Sequence, residues 1–170
     1  MERYTLGILV NNHPGVLSRV VGLFSRRGYN IDSLSVGETE NPDISRITCV
    51  VTGDRQIVEQ IEKQVAKLVD VINVVELSIQ GSIQCELVLM KVCTTPTTRA
   101  AVVELSEIFK AKIVDVTEST LSLQLTGNLD KIASFLHLAR PYGIAELVRT
   151  GITAMERGSQ AMVNGKDEDN

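Results

Sequence analysis

The chain contains no tryptophan and only three tyrosines and three phenylalanines. So few rings leave no stacking platform of the kind that holds single-stranded nucleic acid. A basic excess is missing as well. The formal net charge is −4, and about half of it comes from Asp167-Glu168-Asp169 after the offset by Lys166. A phosphate-binding protein normally shows a cationic footprint, so nucleic acid is not expected as a partner. No apolar run approaches the ~20 residues that a bilayer-spanning helix requires, and a membrane is not expected either. The chain enters a strand pattern at once, which leaves no room for a signal or transit peptide. The three cysteines, Cys49, Cys85 and Cys93, are an odd number and each lies in an apolar, strand-like run. Cysteine in such a place usually serves as a small core residue. A reduced, cytoplasmic protein without disulfides is expected.

The parts needed for bond chemistry are missing too. Only two histidines occur, His13 and His137, one in each half of the chain. His13 stands between an asparagine and a proline and reads as a turn residue, with ligand contact as the alternative. His137 lies between Leu136 and Leu138 on a helical pattern and reads as structural. Cys85 and Cys93 are eight positions apart on one strand and cannot chelate a metal locally. There is no GxGxxG and no Walker loop; Gly15 and Gly28 flank a helix instead of forming a phosphate cradle. Glu59, Glu62, Glu104 and Glu107 fall on solvated helix faces. Together these absences argue against an enzyme and against a metal or cofactor in this chain.

What the chain does have is a repeated order of elements. Tyr4 to Val10 reads as a strand. Pro14 suits a first helical position, where its missing N–H costs nothing, and Val16, Leu17, Val20, Leu23 and Phe24 recur at helical spacing. Arg26 and Arg27 suit the last turn, and Gly28 suits the left-handed position beyond it. Ile31 to Val36 and Ile44 to Val51 are strands joined by a turn-rich loop, residues 37–43; Ile47, Cys49 and Val51 alternate as in a half-buried antiparallel strand. Asp54 can cap a helix with Ile57, Ile61, Val65 and Leu68, and Val71 to Leu77 is a strand. After Gln80-Gly81-Ser82 the order begins again. It runs through a strand at Ile83 to Cys93, a helix opened by Pro96 with Val102, Leu105, Ile108 and Phe109, and a hairpin of Ile113 to Val116 and Leu121 to Leu125. A helix capped by Asn128 must stop before Pro141, and Ile144 to Val148 closes the second set. The order βαββαβ, read twice, predicts an α+β chain of two tandem ferredoxin-like sandwiches. The expected division is 1–79 and 80–158, with a polar, disordered tail over 159–170.

The turn after the first strand is equipped to hold a small zwitterion. N–H groups of Gly15, Val16 and Leu17 at a helix start can take a carboxylate and gain from the helix dipole. Gly15 lacks a Cβ and permits close approach. Asn12 and Asn30 offer amide oxygens to an ammonium and amide N–H groups to a carboxylate. Val10, Val16 and Ile31 can wall an apolar slot for a branched side chain. The same residues also read simply as a turn, a cap and a loop.

The pattern Asn12, Gly15-Val16-Leu17, Arg19, Leu23-Phe24, Arg27 to Ile31, Ser33-Leu34 resembles the ACT domain. More narrowly it resembles the regulatory small subunits of acetohydroxyacid (acetolactate) synthase. Ser45-Arg46, Lys67 to Val71 and Ile113 to Val116 resemble that family as well. So do Gln124 to Gly127, Pro141 to Ile144, Arg149-Thr150-Gly151 and Ala154 to Gly158. The likeness runs from residue 2 to about 158; one departure is Cys85, where an arginine is expected. The resemblance makes the first sandwich an ACT domain and implies a non-catalytic subunit. It would form a homodimer, raise the activity of a separate catalytic large subunit and confer feedback inhibition by valine, with leucine and isoleucine as alternatives. The catalytic partner would carry thiamin diphosphate, Mg and FAD. In ACT dimers the effector lies between two domains, so Asn12, Gly15, Val16 and Leu17 would come from one protomer and Asn30 and Ile31 from the other. A free-standing ACT-type sensor acting on a different target, such as a transcription complex, is the alternative of another class.

Overall fold

A computed structural model describes residues 2–162, and the end of the expected tail, 163–170, lies outside them. The chain forms two compact units built on two sheets, one of four strands and one of five, each packed against two helices. In the first, β1 (Glu2–Asn11), α1 (Val16–Arg26), β2 (Ile31–Glu38), β3 (Ile44–Gly53), α2 (Arg55–Val65) and β4 (Val71–Glu76) form a sheet of order β2-β3-β1-β4. The second uses β5 (Ser82–Cys93), α3 (Arg99–Phe109), β6 (Lys112–Val116), β7 (Thr120–Gly127), α4 (Leu129–Ala139) and β8 (Ile144–Arg149) in the order β6-β7-β5-β8. Both are the split βαβ arrangement of the ferredoxin-like fold. Among the described residues no helix is long and apolar enough to cross a membrane.

Helix α1 forms because Val16, Val20, Leu23 and Phe24 make one buried stripe. It stops in a Schellman motif: Gly28 N–H donates to Ser25 O (3.1 Å) and Tyr29 N–H to Phe24 O (3.0 Å), with Gly28 at φ 72°. Its start differs from the sequence expectation. Gly15, at φ 86°, ends the turn in a left-handed conformation, so the helix opens at Val16 and Pro14 stays in the turn. Similarly, Pro96 precedes α3 without belonging to it; Thr98 is its N-cap residue. Asp54 holds the N-cap position of α2 without a side-chain cap bond, whereas Asn128 Oδ1 accepts from Lys131 N–H (2.9 Å) as expected of a cap.

The first sheet is buried on both faces. Leu6, Ile8, Val10, Ile47, Cys49 and Val51 point toward the helices and form their core. On the opposite face Thr5, Leu9, Thr48 and Val50 are buried as well, although β3 reads as half-buried in sequence. A ninth strand absent from the sequence reading, β9 (Thr153–Glu156), pairs with β5, while its residues group by contacts with this first unit. Ile152 N–H donates to Ser33 Oγ (3.0 Å), Ser35 Oγ meets Thr153 Oγ1 (3.2 Å), and Arg46 Nη2 donates to Ala154 O (3.1 Å). Arg46 lies so close over Gly7 that a Cβ there would stand 2.5 Å from Nη2, and a larger residue would push the guanidinium aside. Burial lowers the Arg46 pKa, and Glu156 opposes that. Beyond β9, Arg157 N–H donates to Gly81 O (2.9 Å).

Grouped by contacts, the described residues form one compact unit from 2–83 with 152–162 and another from 84–151. Residues 84–151 are an insertion in the first unit.

The second core gathers Val88, Met90, Val92, Val102, Leu121, Leu123, Leu125, Ile132 and Phe135. Ile108, placed in its stripe by the sequence reading, is exposed instead. Glu86 is buried in this unit and receives Arg149 through two bonds of 2.7 Å each, which raises the Arg149 pKa. Cys49 lies in the first core, but Cys85 is half-buried and Cys93 exposed. Strand alternation sends those two to the face away from the helices, so they are not the core residues expected.

Arg149→Ala leaves the Glu86 carboxylate buried without its partner. Because Arg149 is itself partly exposed, a loss of roughly 2–3 kcal/mol is expected, below the full cost of breaking a buried pair; urea unfolding measures it, and adding Glu86→Gln should restore part of it. Burial pushes the Cys49 thiol up to about 12 from 9.0. The folded chain keeps that proton where the unfolded chain gives it up. Stability should accordingly fall as pH rises across that window, and alkylation at neutral pH should modify Cys93 first and Cys49 only on unfolding.

Candidate functional site

The turn from Asn12 to Leu17 sits where β1 ends. His13 is exposed in it; its N–H donates to Asn11 O (3.0 Å), and its carbonyl accepts from Val16 N–H (3.3 Å). The Val16 N–H is thus already used, against the sequence expectation. Among the described residues the N–H groups of Gly15, Leu17 and Ser18 find no backbone acceptor, and no side chain caps the helix. Those donors, at the positive end of α1, are available to an anion. Ser18 was not anticipated; its place one position after Leu17 in the first turn was the available signal.

Asn12 is held from three sides. Its backbone N–H donates to Asp43 O (2.7 Å), and its side-chain Nδ2 donates to Pro42 O (2.9 Å) and Glu38 Oε1 (3.2 Å). Both amide hydrogens are spent on the β2–β3 loop, so the expected gift of an amide N–H to a carboxylate is withdrawn. Oδ1 is the group left over. At the other end of β2, Asn30 Nδ2 donates to Asp32 Oδ1 (3.0 Å), leaving Oδ1 and one amide hydrogen.

The apolar walls are also redistributed. Val10 and Val16 are buried in the core under the helices, where they cannot line an open slot from this turn. Leu17 is 40% exposed, and Val36, two residues before Glu38 on the helix-bearing face of β2, is 44% exposed. Val36 is an apolar candidate that sequence reasoning took only as a strand residue. Ile31 is partly buried against the core opposite Val51. Val16 reaches a separate depression of about 240 Å³, shared with Arg19, Val20, Leu68, Asp70 and Val71, across which Arg19 pairs with Asp70 at 2.6 Å.

The structure does not bring the six predicted residues together in one chain. Ile31 is level with Val51, and Val51 with Tyr4 near the start of β1, whereas Asn12 follows its end at Asn11. At about 3.3 Å per residue, roughly 20–25 Å of strand separates the two groups.

A ferredoxin-like sheet with a Gly-bearing turn at the start of α1 and β2 free at its edge is the architecture of an ACT domain, here followed by a second unit of the same topology. The comparisons agree. Residues 6–73 match the family model described as AHAS small subunit-like ACT domain, and residues 85–158 match that of the small subunit of acetolactate synthase. A probable acetolactate synthase small subunit of Archaeoglobus fulgidus is 49% identical over 93% of this chain and 99% of its own. The acetolactate synthase small subunit of Haemophilus influenzae is 45% identical over 93% of this chain and 98% of its own. The crystal structure of the acetolactate synthase small subunit from Thermotoga maritima superposes with a TM-score of 0.87 at 38% identity, covering 94% of this chain and all of that one. The chain belongs to the acetolactate synthase small subunit family.

Gly15 has open space around its Cβ position but a φ of 86°. Gly15→Ala should therefore destabilise by about 1 kcal/mol through backbone strain alone, measurable as a lowered urea midpoint with an unchanged slope.

Proposed function

We propose that this chain is the regulatory subunit of acetohydroxyacid synthase: it activates a catalytic large subunit and makes it sensitive to valine bound between two copies of the first unit. The separation of the two groups of site residues carries the reading. β2 lies at the edge of the sheet, where its outer N–H and C=O groups can pair with another strand. Antiparallel pairing of β2 with its own copy about a two-fold axis sets the Ile31 end of one strand beside the Glu38 end of the other. Asn30 and Ile31 of one protomer then come next to Asn12, Gly15 and Leu17 of its neighbour. A valine carboxylate would lie on the Gly15, Leu17 and Ser18 N–H groups, its ammonium on Asn12 Oδ1, and its isopropyl group near Leu17 and Val36. Val16 contributes by shaping the helix start.

Such a ligand stabilises the paired arrangement and can bias a bound partner only through that arrangement. The chain carries no cofactor in this reading; thiamin diphosphate, Mg and FAD belong to the catalytic partner. Three free thiols suit a reducing compartment, and we place the protein in the cytoplasm.

Valine at about 100 times its Kd should add about 2.7 kcal/mol, a rise in Tm of roughly 5–10 °C for a chain of this size. Asn12→Ala and Gly15→Asp should abolish that rise. Wild-type protein indifferent to valine, leucine and isoleucine alike sinks the sensing claim. Co-purification with a thiamin-dependent large subunit, and stimulation of its turnover, tests the partnership.

A further inference from the structure

An asparagine amide can present either its oxygen or its two N–H groups, and which one faces a ligand decides what the side chain reads. At Asn12 the neighbours remove the choice. The carbonyl of Pro42 and the carboxylate of Glu38 are both acceptors, and Nδ2 donates to each, at 2.9 Å and 3.2 Å. A reversed amide would set oxygen against oxygen on both sides. The loop supplying these acceptors is itself braced. Thr39 N–H donates to Ile44 O (2.9 Å), Asn41 N–H to Thr39 Oγ1 (3.1 Å), and Asp43 N–H to Asn41 Oδ1 (3.0 Å). The backbone bond from Asn12 N–H to Asp43 O fixes the base of the side chain against the same loop.

We infer that Glu38 is a positioning residue: by holding the Asn12 amide it turns Oδ1 toward the ligand, and so makes the site selective for an α-amino acid over the 2-oxo acid of the same carbon skeleton. The inference rests on the effector reading above and adds to it a residue and a discrimination. A carboxylate is common to both ligand types and is met by the donors at the start of α1. The neighbouring carbon separates them. An ammonium donates to Asn12 Oδ1, whereas a ketone oxygen faces that acceptor with no hydrogen between them. A site whose acceptor is left unpaired rejects the analogue strongly.

The test is calorimetric titration of the full-length protein with L-valine and with its 2-oxo acid. Wild type should prefer valine by at least ~100-fold. Glu38→Ala frees one side of the amide and should lower that preference about tenfold by weakening valine, leaving the weak 2-oxo acid binding unchanged. Glu38→Gln can present Oε1 to Asn12 and should retain wild-type preference within about threefold. Equal loss of both ligands in Glu38→Ala would reduce Glu38 to a structural role and overturn the inference. So would an unchanged preference, or Glu38→Gln behaving like Glu38→Ala, which would assign the effect to charge. Failure of the wild-type protein to bind valine at all would instead strike the effector reading, and is seen before any variant is compared.

Discussion

Burial of β1 and β3 on both faces is the constraint on which the rest of the first unit depends. Leu6, Ile8 and Val10 meet the helices while Thr5 and Leu9 are buried on the opposite face. A strand held from both sides cannot slip in register without moving its apolar set into the wrong layer. The end of β1 is therefore a rigid platform, and Asn12 to Leu17 projects from it. Rigidity would serve the proposed binding role, because one exposed amide and a few backbone donors bind weakly unless they are preorganised.

The turn is unusual in how little of it is free. Asn12 spends its backbone and both amide hydrogens on the β2–β3 loop, and the Val16 N–H is closed by His13. What remains is one oxygen and the donors of Gly15, Leu17 and Ser18, a short list that specifies charge arrangement more sharply than a longer one would. Leu17 and Val36 are exposed apolar residues, whereas Val10 and Val16 are buried.

Local chemistry was legible in the sequence, and long-range chemistry was not. The caps at Gly28 and Asn128, the stripe of α1 and the alternation of Leu121, Leu123 and Leu125 each depend on neighbours a few positions away, so the βαββαβ order could be read twice. Helix starts were misplaced at Pro14 and Pro96 because a proline rule competes with turns whose geometry is set by Gly15 and by Thr98. The orientation of Asn12 was invisible because Glu38 and Pro42 lie 26 and 30 positions away. The anchoring of Arg46 on β3 was invisible because its partner, Ala154, is separated from it by the whole second unit. Cys93 shows the opposite failure: its run is apolar, but strand alternation decides which face receives the thiol.

The insertion of residues 84–151 also orders events in time. On a ribosome adding about 5–20 residues per second, β1 to β4 emerge first, yet Ile152 and Ala154 follow only about 4–15 s later. During that interval Ser33, Ser35 and Arg46 lack their partners in the returning segment, and β5 lacks β9 beside it. The ACT unit is begun first and finished last. Its completion waits on a stretch of chain made after its neighbour, which ties the yield of the first unit to correct synthesis of the second.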